Sequence, residues 1–493
     1  RSRSGSPLRH PIRHLKMPVM IELPQQHGLI ALRARPDSSC LSLYVEGRLY
    51  TLLEDLMNHP DPASNPSRQE PSSSGHSIDL FGATALGVGG MMGAGLYTLL
   101  GLAAQSAGVL LPLAFLLAGT AASFSVYSYA RLGTAFPSRG GGAHFLLACL
   151  GDTTLCASLN VFQYMAYLIA TSLYGAGFAD YVGALVGGQL PTFTQRLIGA
   201  AAVVGFTVVN LVGPQLVNRS QKLIITTELV ILGLLLVLGS FHADPSRITT
   251  TPWPAGAGVV TAAGLLYVTF QGFGVVSNAA QDMRSPRKQL PQAMFLALGI
   301  VLTTYLLVSF LVVSLLPLST IEREAGHVLA NAGGAVLGQS GFLVIAAAAL
   351  LATASAVNAT LFASANVGAD LADYRQLPSF LAKPWLGNAN MSLPVSAGIV
   401  TLLVLGFPLD AVGQMTSLAF LIVYGAVSAA HLRARNRTGA RAWPLWMAVA
   451  INTTLFVSLL IDTIRTGSPA TWITFLAVLS GSFALTAILR RTR

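Results

Sequence analysis

The chain has 493 residues, of which 53% are hydrophobic and only 10% charged, and its mean hydropathy is +0.63. Soluble domains carry about 25% charged residues, so this composition excludes a soluble globular fold and indicates an integral membrane protein. The three cysteines form no CxxC pair, which argues against a metal cluster, a disulfide framework or a disulfide-linked partner subunit.

Residues 1–79 precede every long apolar run and are predicted to be a cytoplasmic extension with no assigned function. The first sixteen residues are basic and predict a disordered tail, and residues 28–57 alternate apolar and polar around Pro36, which predicts a hairpin followed by a short helix. Residues 59–78, rich in Pro, Ser and Asn, predict a linker. No cleavable signal peptide is expected, because the first apolar run begins near residue 80 and is long enough to stay in the membrane.

Residues 80–493 are predicted to form one transmembrane domain. Twelve apolar stretches are long enough, or nearly so, to cross about 30 Å of hydrocarbon. They are predicted as helices at roughly 80–103, 109–131, 153–176, 195–213, 223–241, 257–280, 293–316, 341–364, 393–409, 411–432, 443–462 and 469–489.

The distribution of Lys and Arg predicts the orientation of these helices. With residues 1–79 in the cytoplasm, the cytoplasmic loops and C-terminus hold sixteen basic residues, and the external loops hold four: Arg196, Arg247, Arg323 and Arg465. This bias predicts both termini inside, in the plasma or inner membrane of the cell. The net charge of +10 is thereby explained by topology, and no nucleic-acid partner is expected.

Two of the predicted spans contain glycine at mid-membrane. The first holds five glycines between Gly87 and Gly95, and the sixth holds Gly272 and Gly274. Irregular backbone is tolerated at this depth only where it lines a cavity or is buried in protein, so the sequence predicts two broken helices. Corresponding breaks five spans apart indicate an inverted repeat of five helices plus two further helices, with a substrate held between the breaks. The alternative for the first run is a GxxxG packing motif at Gly89 and Gly93.

These motifs resemble the amino acid, polyamine and organocation (APC) permease superfamily. The most specific motif is residues 87–97 in the first span. Further motifs lie in and after the sixth span, at 270–274 and 282–291, and supporting stretches lie at 130–143 and 355–360. The resemblance extends over roughly residues 78–490. It implies an all-α, polytopic membrane protein with the leucine-transporter-like fold. The implied activity is transport of amino acids or related amines by alternating access, with proton symport, antiport or exchange.

The resemblance also implies binding residues. The substrate carboxylate would accept hydrogen bonds from the backbone amides of Gly93, Ala94 and Gly95. The substrate ammonium would donate to four backbone carbonyls, those of Met91, Val268, Thr269 and Gln271. Helix N-termini favour anions and unwound carbonyls favour cations, so a zwitterion suits this pair of sites.

The sequence departs from the family pattern at the gate. Gly274 stands where relatives often carry an acidic residue, and no aromatic residue stands at Val268. Gating is therefore assigned to three neighbouring aromatic residues: Tyr267, Phe270 and Phe273.

Glu228 is the acidic residue that lies well within an apolar span, about a turn and a half from the predicted cytoplasmic end. A charge near mid-membrane costs roughly 3 kcal/mol on insertion scales, and holding a glutamate neutral at pH 7 costs roughly 3.7 kcal/mol. Because the two costs are comparable, Glu228 is predicted to change protonation during transport and to couple it to H+. In a second interpretation, it stays neutral or pairs with Arg219 or Lys222.

Three further interpretations are compatible with the sequence. Sodium coupling would use first-span carbonyls with Thr353, Ser355 or Thr360, although hydroxyls in membrane helices usually bond their own backbone. A permease-like sensor would bind the same amino acid without transport. A membrane-embedded transferase would need a general base or metal, yet no histidine lies within a span and HExxH is absent from the sequence; no enzymatic activity, cofactor or metal is therefore expected.

Overall fold

The computed structural model describes residues 78–138, 140–187, 190–212, 215–283, 285–386 and 389–491, together with three short strands nearer the N-terminus. The predicted basic tail, the helix after the hairpin and the linker before residue 78 lie outside the described residues. The chain divides into two compact units, residues 1–76 and 77–493.

In the first unit, three strands form an antiparallel sheet in the order β1 (Ala31–Leu32), β2 (Ser42–Val45) and β3 (Arg48–Thr51). Ala31 pairs with Tyr44 and Ser42 with Thr51. The connection between β1 and β2 contains Pro36, as the hairpin prediction required.

The second unit is helical. Its helices are α1 (Leu80–Met91), α2 (Ala94–Ala107), α3 (Leu111–Ala135), α4 (Gly141–Leu150), α5 (Thr154–Leu185), α6 (Thr192–Val212), α7 (Gln215–Ser240), α8 (Ser246–Thr250), α9 (Gly256–Leu266), α10 (Phe273–Asn278), α11 (Pro286–Leu315), α12 (Leu318–Arg323), α13 (Val328–Asp373), α14 (Ser392–Gly406), α15 (Leu409–Thr438), α16 (Ala442–Thr466) and α17 (Pro469–Arg491). Single 3-10 turns lie at 108–110, 267–270, 280–282, 325–327 and 379–382.

Local chemistry explains several helix ends. Asp79 caps α1 by accepting a hydrogen bond from the Gly82 amide at 2.8 Å, and Thr153 caps α5 through the Cys156 amide at 3.2 Å. Helix α15 ends at Gly439, whose φ of 63° is left-handed. Helix α13 is kinked at Gly338, where φ is 61°. It begins at Val328, thirteen residues before the start of the span predicted at 341–364.

Within the described ranges, nine helical stretches are long and apolar enough to cross a membrane by length and composition. Helix α5, with 32 residues, is long enough to cross a membrane but is not among them, and it buries polar side chains against protein. For example, Tyr164 hydrogen-bonds Ser396 at 2.8 Å. The prediction of a polytopic helical membrane protein is confirmed.

Four pairs of helices or broken helices that lie five predicted spans apart pack against each other. These pairs are α3 with α11, α5 with α13, and α6 with α14, and the broken first span (α1 and α2) likewise packs on the broken sixth (α9 and α10). Such pairing places the two breaks beside each other at the centre of the bundle.

The ends of the helices define two faces. At the first, here called the N-terminal face, Ile78 bridges to Met283 and Gln281 donates to the Pro137 carbonyl at 3.0 Å; Arg437 donates to the Ala148 carbonyl of α4 at 3.1 Å. At the opposite face, here called the far face, Gln105 at the end of α2 donates to the Glu322 carbonyl of α12 at 3.1 Å.

Candidate functional site

The first break is short. Helix α1 ends at Met91 and α2 begins at Ala94, so Met92 and Gly93 lie between them, and the Met92 amide donates back to the Val88 carbonyl at 2.8 Å. No side chain caps α2. The first amides of a helix have no partner within it, so the N-terminus of α2, which includes Ala94 and Gly95, presents donors at the bundle centre. The predicted break is confirmed.

The second break is longer. Helix α9 ends at Leu266, a 3-10 turn occupies residues 267–270, and α10 begins at Phe273. A 3-10 turn replaces the regular i to i−4 hydrogen bonds of the α-helix with tighter ones. The Gln271 amide accordingly donates to the Val268 carbonyl at 3.1 Å, so this predicted carbonyl ligand already accepts one bond.

The two breaks touch through their glycines. A Cβ added to Gly90 would lie 2.9 Å from the Gly272 carbonyl oxygen, and one added to Gly272 would collide with backbone atoms of Gly90 and Met91. A Cβ on Gly95 would lie 3.2 Å from Thr269 Cα. The glycines therefore serve close backbone approach as well as the break. Gly89 packs against Ile225 of α7, so the glycine run also has a packing role.

Three of the four predicted carbonyl ligands accept tyrosine hydroxyls. Tyr305 of α11 donates to the Met91 carbonyl at 2.7 Å, with the Thr269 carbonyl at 3.5 Å. Tyr424 of α15 donates to the Gln271 carbonyl at 2.8 Å. A carbonyl oxygen has two lone pairs, and those of the Gln271 carbonyl are both used, because it also accepts from the Gly274 amide at 3.2 Å. Sequence reasoning missed these tyrosines; the available signal was a tyrosine inside an apolar span, which needs a partner for its hydroxyl.

The three predicted gating residues are all buried in packing contacts. The Tyr267 hydroxyl bonds Ser125 at 2.7 Å, and Ser125 also accepts from Asn452 of α16 at 3.1 Å. The Phe270 ring lies 5.3 Å from the ring of Tyr305.

Phe273 belongs to a cluster of rings on the N-terminal side of the breaks. Its ring centre lies 4.8 Å from that of Tyr424 and 5.3 Å from that of Tyr129. Tyr129 also contacts Phe145 of α4 at 5.4 Å, and Tyr424 stacks on Phe420 at 5.7 Å. These five residues are called the aromatic cluster below, and they fill the space between the breaks and α4.

Glu228 lies at the middle of α7, thirteen residues after Gln215 and twelve before Ser240. Helix α7 begins before the apolar run does, but the residues before Leu223 are largely polar, so Glu228 lies about a turn and a half from the start of the apolar run, as predicted. Its side chain is 4% exposed and faces the hydroxyl of Tyr97 on α2, with Tyr305 within electrostatic reach. Glu228 Oε1 and Tyr97 Oη are buried without hydrogen-bond partners among the described residues. The side chains of Arg219 and Lys222, with which Glu228 could have paired, lie outside the described part.

The remaining polar candidates bond to other parts of the bundle. Thr353 donates to the Ala349 carbonyl of its own helix at 2.8 Å. Asn358 of α13 accepts from Asn210 of α6 at 3.0 Å. His431 lies between two hydroxyls, with Nδ1 2.9 Å from Ser128 and Nε2 2.8 Å from Thr438.

The described residues give little support for metal binding or for a reactive thiol. In the ranges that the structure describes, no group of three His, Cys, Asp or Glu residues is arranged to hold a metal. Burial raises the pKa of the Cys149 thiol on α4 to about 11, so the reactive thiolate is scarce at neutral pH.

Comparison with known proteins agrees with this geometry. A family model described as amino acid permease matches residues 78–488. An uncharacterised protein of Methanocaldococcus jannaschii is 31% identical over 74% of this chain and 84% of its own length. The inner membrane transport protein YbaT of Escherichia coli is 29% identical over 73% and 84%, and the methylthioribose transporter of Bacillus subtilis is 25% identical over 74% and 84%.

Proposed function

The chain belongs to the amino acid permease family of the APC superfamily and is a membrane transporter of amino acids or related compounds; from this premise we propose that it carries zwitterionic amino acids by alternating access, coupled to protons. The observation that carries the proposal is the meeting of two helix breaks at Gly90 and Gly272. There the amide donors of one helix N-terminus lie beside the carbonyl acceptors of the other break.

A zwitterion matches these two sets of groups. Its carboxylate takes hydrogen bonds from the amides of Gly93, Ala94 and Gly95, where the helix dipole favours an anion. Its ammonium donates to the Met91, Val268 and Thr269 carbonyls, and to the Gln271 carbonyl in exchange for one of the two hydrogen bonds that this carbonyl accepts. Tyr305 holds the Met91 carbonyl and Tyr424 holds the Gln271 carbonyl, which reduces the reorganisation that binding requires.

The proposed architecture is twelve spans, as an inverted repeat of five plus two. It is supported by the contacts between helices five spans apart. The proposed orientation has residues 1–79, the N-terminal face and both termini in the cytoplasm, as the Lys and Arg bias indicates. The plasma or inner membrane is the proposed location, in keeping with the name of the Escherichia coli relative.

Glu228 is the proposed coupling residue. A carboxyl about a turn and a half inside the apolar part of α7, 4% exposed and facing Tyr97 beside the first break, is expensive to keep charged. Its protonation would change the charge next to α2 and hence the stability of one arrangement of the two breaks. Tyr267, Phe270 and Phe273 would move with the second break as gating residues.

The test uses purified protein in liposomes with a panel of amino acids and polyamines, comparing imposed proton and sodium gradients. Wild-type protein is expected to accumulate an amino acid when a pH gradient is imposed. Glu228→Gln is expected to abolish gradient-driven uptake while substrate exchange continues, and Glu322→Gln, an exposed acid of the far face, is the matched control. Binding without flux would indicate a sensor. Accumulation driven by a sodium gradient would reject the proton as the coupling ion. Unchanged gradient-driven uptake in Glu228→Gln would reject Glu228 as the coupling residue.

A further inference from the structure

Helix α16, the predicted eleventh span, lies along the second broken helix. A Cβ on Gly264 of α9 would lie 3.0 Å from the Leu455 carbonyl oxygen of α16, so the two backbones approach closely. Ser458 Oγ lies 3.0 Å from Thr261 Oγ1 of α9. Leu455 and Ser458 follow Asn452 at intervals of three residues, so the three share one side of the helix. This side of α16 is called the support face below.

The support face also reaches the 3-10 turn of the second break, through a chain of hydrogen-bonded side chains. Asn452 Nδ2 donates to Ser125 Oγ of α3 at 3.1 Å. Ser125 Oγ lies 2.7 Å from the hydroxyl oxygen of Tyr267, which is the first residue of the turn. All three residues are at most 1% exposed. Because water does not reach the chain, removal of one member leaves a buried polar group unpaired.

Helix α3 connects this chain to the other end of the second break. Tyr129 lies four residues after Ser125 and therefore on the same side of α3, and its ring contacts the ring of Phe273 in the aromatic cluster at 5.3 Å. Phe273 is the first residue of α10. Helix α3 thus contacts both ends of the second break, at Tyr267 and at Phe273, and Asn452 holds α3 from the side of α16.

Asn452 has a hydrogen-bonding atom that this arrangement does not use. Its Oδ1 is buried without a partner among the described residues. Buried polar atoms are hydrogen-bonded in most proteins, and an apolar side chain of similar size would fill the same space without burying an unpaired oxygen. The bond to Ser125 therefore explains an asparagine at this position better than packing does.

We propose that α16 is the support on which the second break rests, and that Asn452, acting through Ser125, is the positioning residue that keeps the turn at 267–270 ordered while no substrate is bound. The proposed function assigns the Val268 and Thr269 carbonyls of this turn to the substrate ammonium, and the effect on transport rests on that assignment. An ordered turn presents these carbonyls without further rearrangement, so the substrate binds at a lower concentration. Helix α16 thereby contributes to binding although it lies outside the proposed five-helix repeats.

Hydrogen–deuterium exchange of the purified protein tests the positioning role without any substrate. Asn452→Leu fills the space of the amide but forms no hydrogen bond, so the amides of residues 267–274 are expected to exchange at least about fivefold faster than in wild type. The amides of residues 91–95, in the first break, are expected to exchange at the wild-type rate. Thr454→Val is the matched control on α16, because the exposed Thr454 hydroxyl bonds the Ala450 carbonyl of its own helix at 2.9 Å. Unchanged exchange at 267–274 in Asn452→Leu would overturn the proposal.

Uptake into liposomes tests the consequence for the substrate, with the amino acid that wild type accumulates most as the probe. Asn452→Leu is expected to raise the concentration for half-maximal uptake about tenfold and to leave the maximal rate within about twofold of wild type. Tyr267→Phe removes the hydroxyl at the other end of the chain and is expected to act similarly. The double variant should match the larger single effect, because both changes act through the same chain. Effects that multiply in the double variant would indicate independent packing roles and reject action through Ser125.

The two measurements separate this proposal from the proposed function. Faster exchange with an unchanged concentration for half-maximal uptake would reject ammonium binding at this turn and leave the positioning role in place. A lower maximal rate with wild-type exchange would reject the positioning role. If Asn452→Leu fails to fold, Asn452→Ser carries the same test, because it keeps a polar side chain and removes the Nδ2 donor.

Discussion

The two helix breaks at the centre of the bundle differ in how they satisfy their backbone. The first spans only Met92 and Gly93, no side chain caps the helix that follows, and a Cβ on Gly93 would have its nearest neighbour, Ala356 Cβ, at 3.8 Å. The second is a 3-10 turn followed by Gln271, whose carbonyl accepts from Tyr424. The first break therefore presents helix amides without a side-chain cap, and the second is a packed segment whose Gln271 carbonyl is held in place.

This difference suggests that the first break binds the ligand and the second acts as a hinge. Helix amides without a side-chain cap suit a ligand that comes and goes, because the ligand can take the place of the missing cap. Carbonyls already bonded to side chains suit a hinge that must stay ordered while the ligand is absent. Substitutions at matched positions in the two breaks would separate these roles.

The largest effect is expected where the breaks touch. Gly272→Ala forces a methyl group into the backbone of Gly90 and Met91, and backbone cannot move aside as a side chain can. We expect uptake to fall at least about tenfold through overpacking. Uptake assays together with size-exclusion profiles measure this. Gly274→Ala, whose Cβ would have Tyr424 Oη at 3.8 Å as its neighbour, is the control; equal behaviour of the two variants would disprove the contact.

Gly93→Ala tests the first break as a binding site. The methyl group has room, but it lies between the N-terminus of α2 and Ala356, where the substrate carboxylate is proposed to bind. An increase of about tenfold in the substrate concentration for half-maximal uptake is expected, equivalent to about 1.4 kcal/mol. Gly299→Ala, within α11 and with open space around its Cβ, should leave this concentration unchanged. An unaltered value in Gly93→Ala would argue against substrate binding there.

Tyr305→Phe tests the partner of the first break. It removes the donor to the buried Met91 carbonyl, and an unpaired buried acceptor costs about 1–3 kcal/mol. Thermal unfolding in detergent should show a lower midpoint than wild type. Tyr374→Phe, at a tyrosine that is 60% exposed, should not change it. An unchanged midpoint in Tyr305→Phe would mean that the Met91 carbonyl finds another partner.

Tyr424→Phe is expected to have the smallest effect of the series. The ring keeps its contacts with Phe273 and Phe420, and only the bond to the Gln271 carbonyl is lost. Gln271 is partly exposed, so solvent can replace the hydroxyl and the cost should stay near or below about 1 kcal/mol. The same thermal measurement checks it. A larger loss of stability than in Tyr305→Phe would contradict the expectation that the hydrogen bond to the Met91 carbonyl contributes more than the bond to the Gln271 carbonyl.

Much of the helical architecture was predictable from composition alone, because long apolar stretches have few alternatives to helices in a bilayer. The break at Gly93 was predictable from the five glycines of the first span, since a GxxxG packing motif needs only two of them. The position of Glu228 in the apolar run was predictable, whereas the start of α7 at Gln215 was not, because polar residues continue the helix beyond that run. The partners Tyr305, Tyr424 and Tyr97 were not predictable, since each lies on a different helix from the group it serves.

By itself, the sequence determined that this protein is helical, that it lies in a membrane and that its first and sixth spans are interrupted by glycine, because these properties depend on hydrophobicity and on the local conformation of the chain. The tertiary structure alone decided that the two interruptions meet at Gly90 and Gly272, which carbonyls the tyrosines hold, and that Glu228 faces Tyr97. The physical reason is that such contacts join residues far apart in the chain, so they follow from how whole helices pack against each other and not from any local pattern.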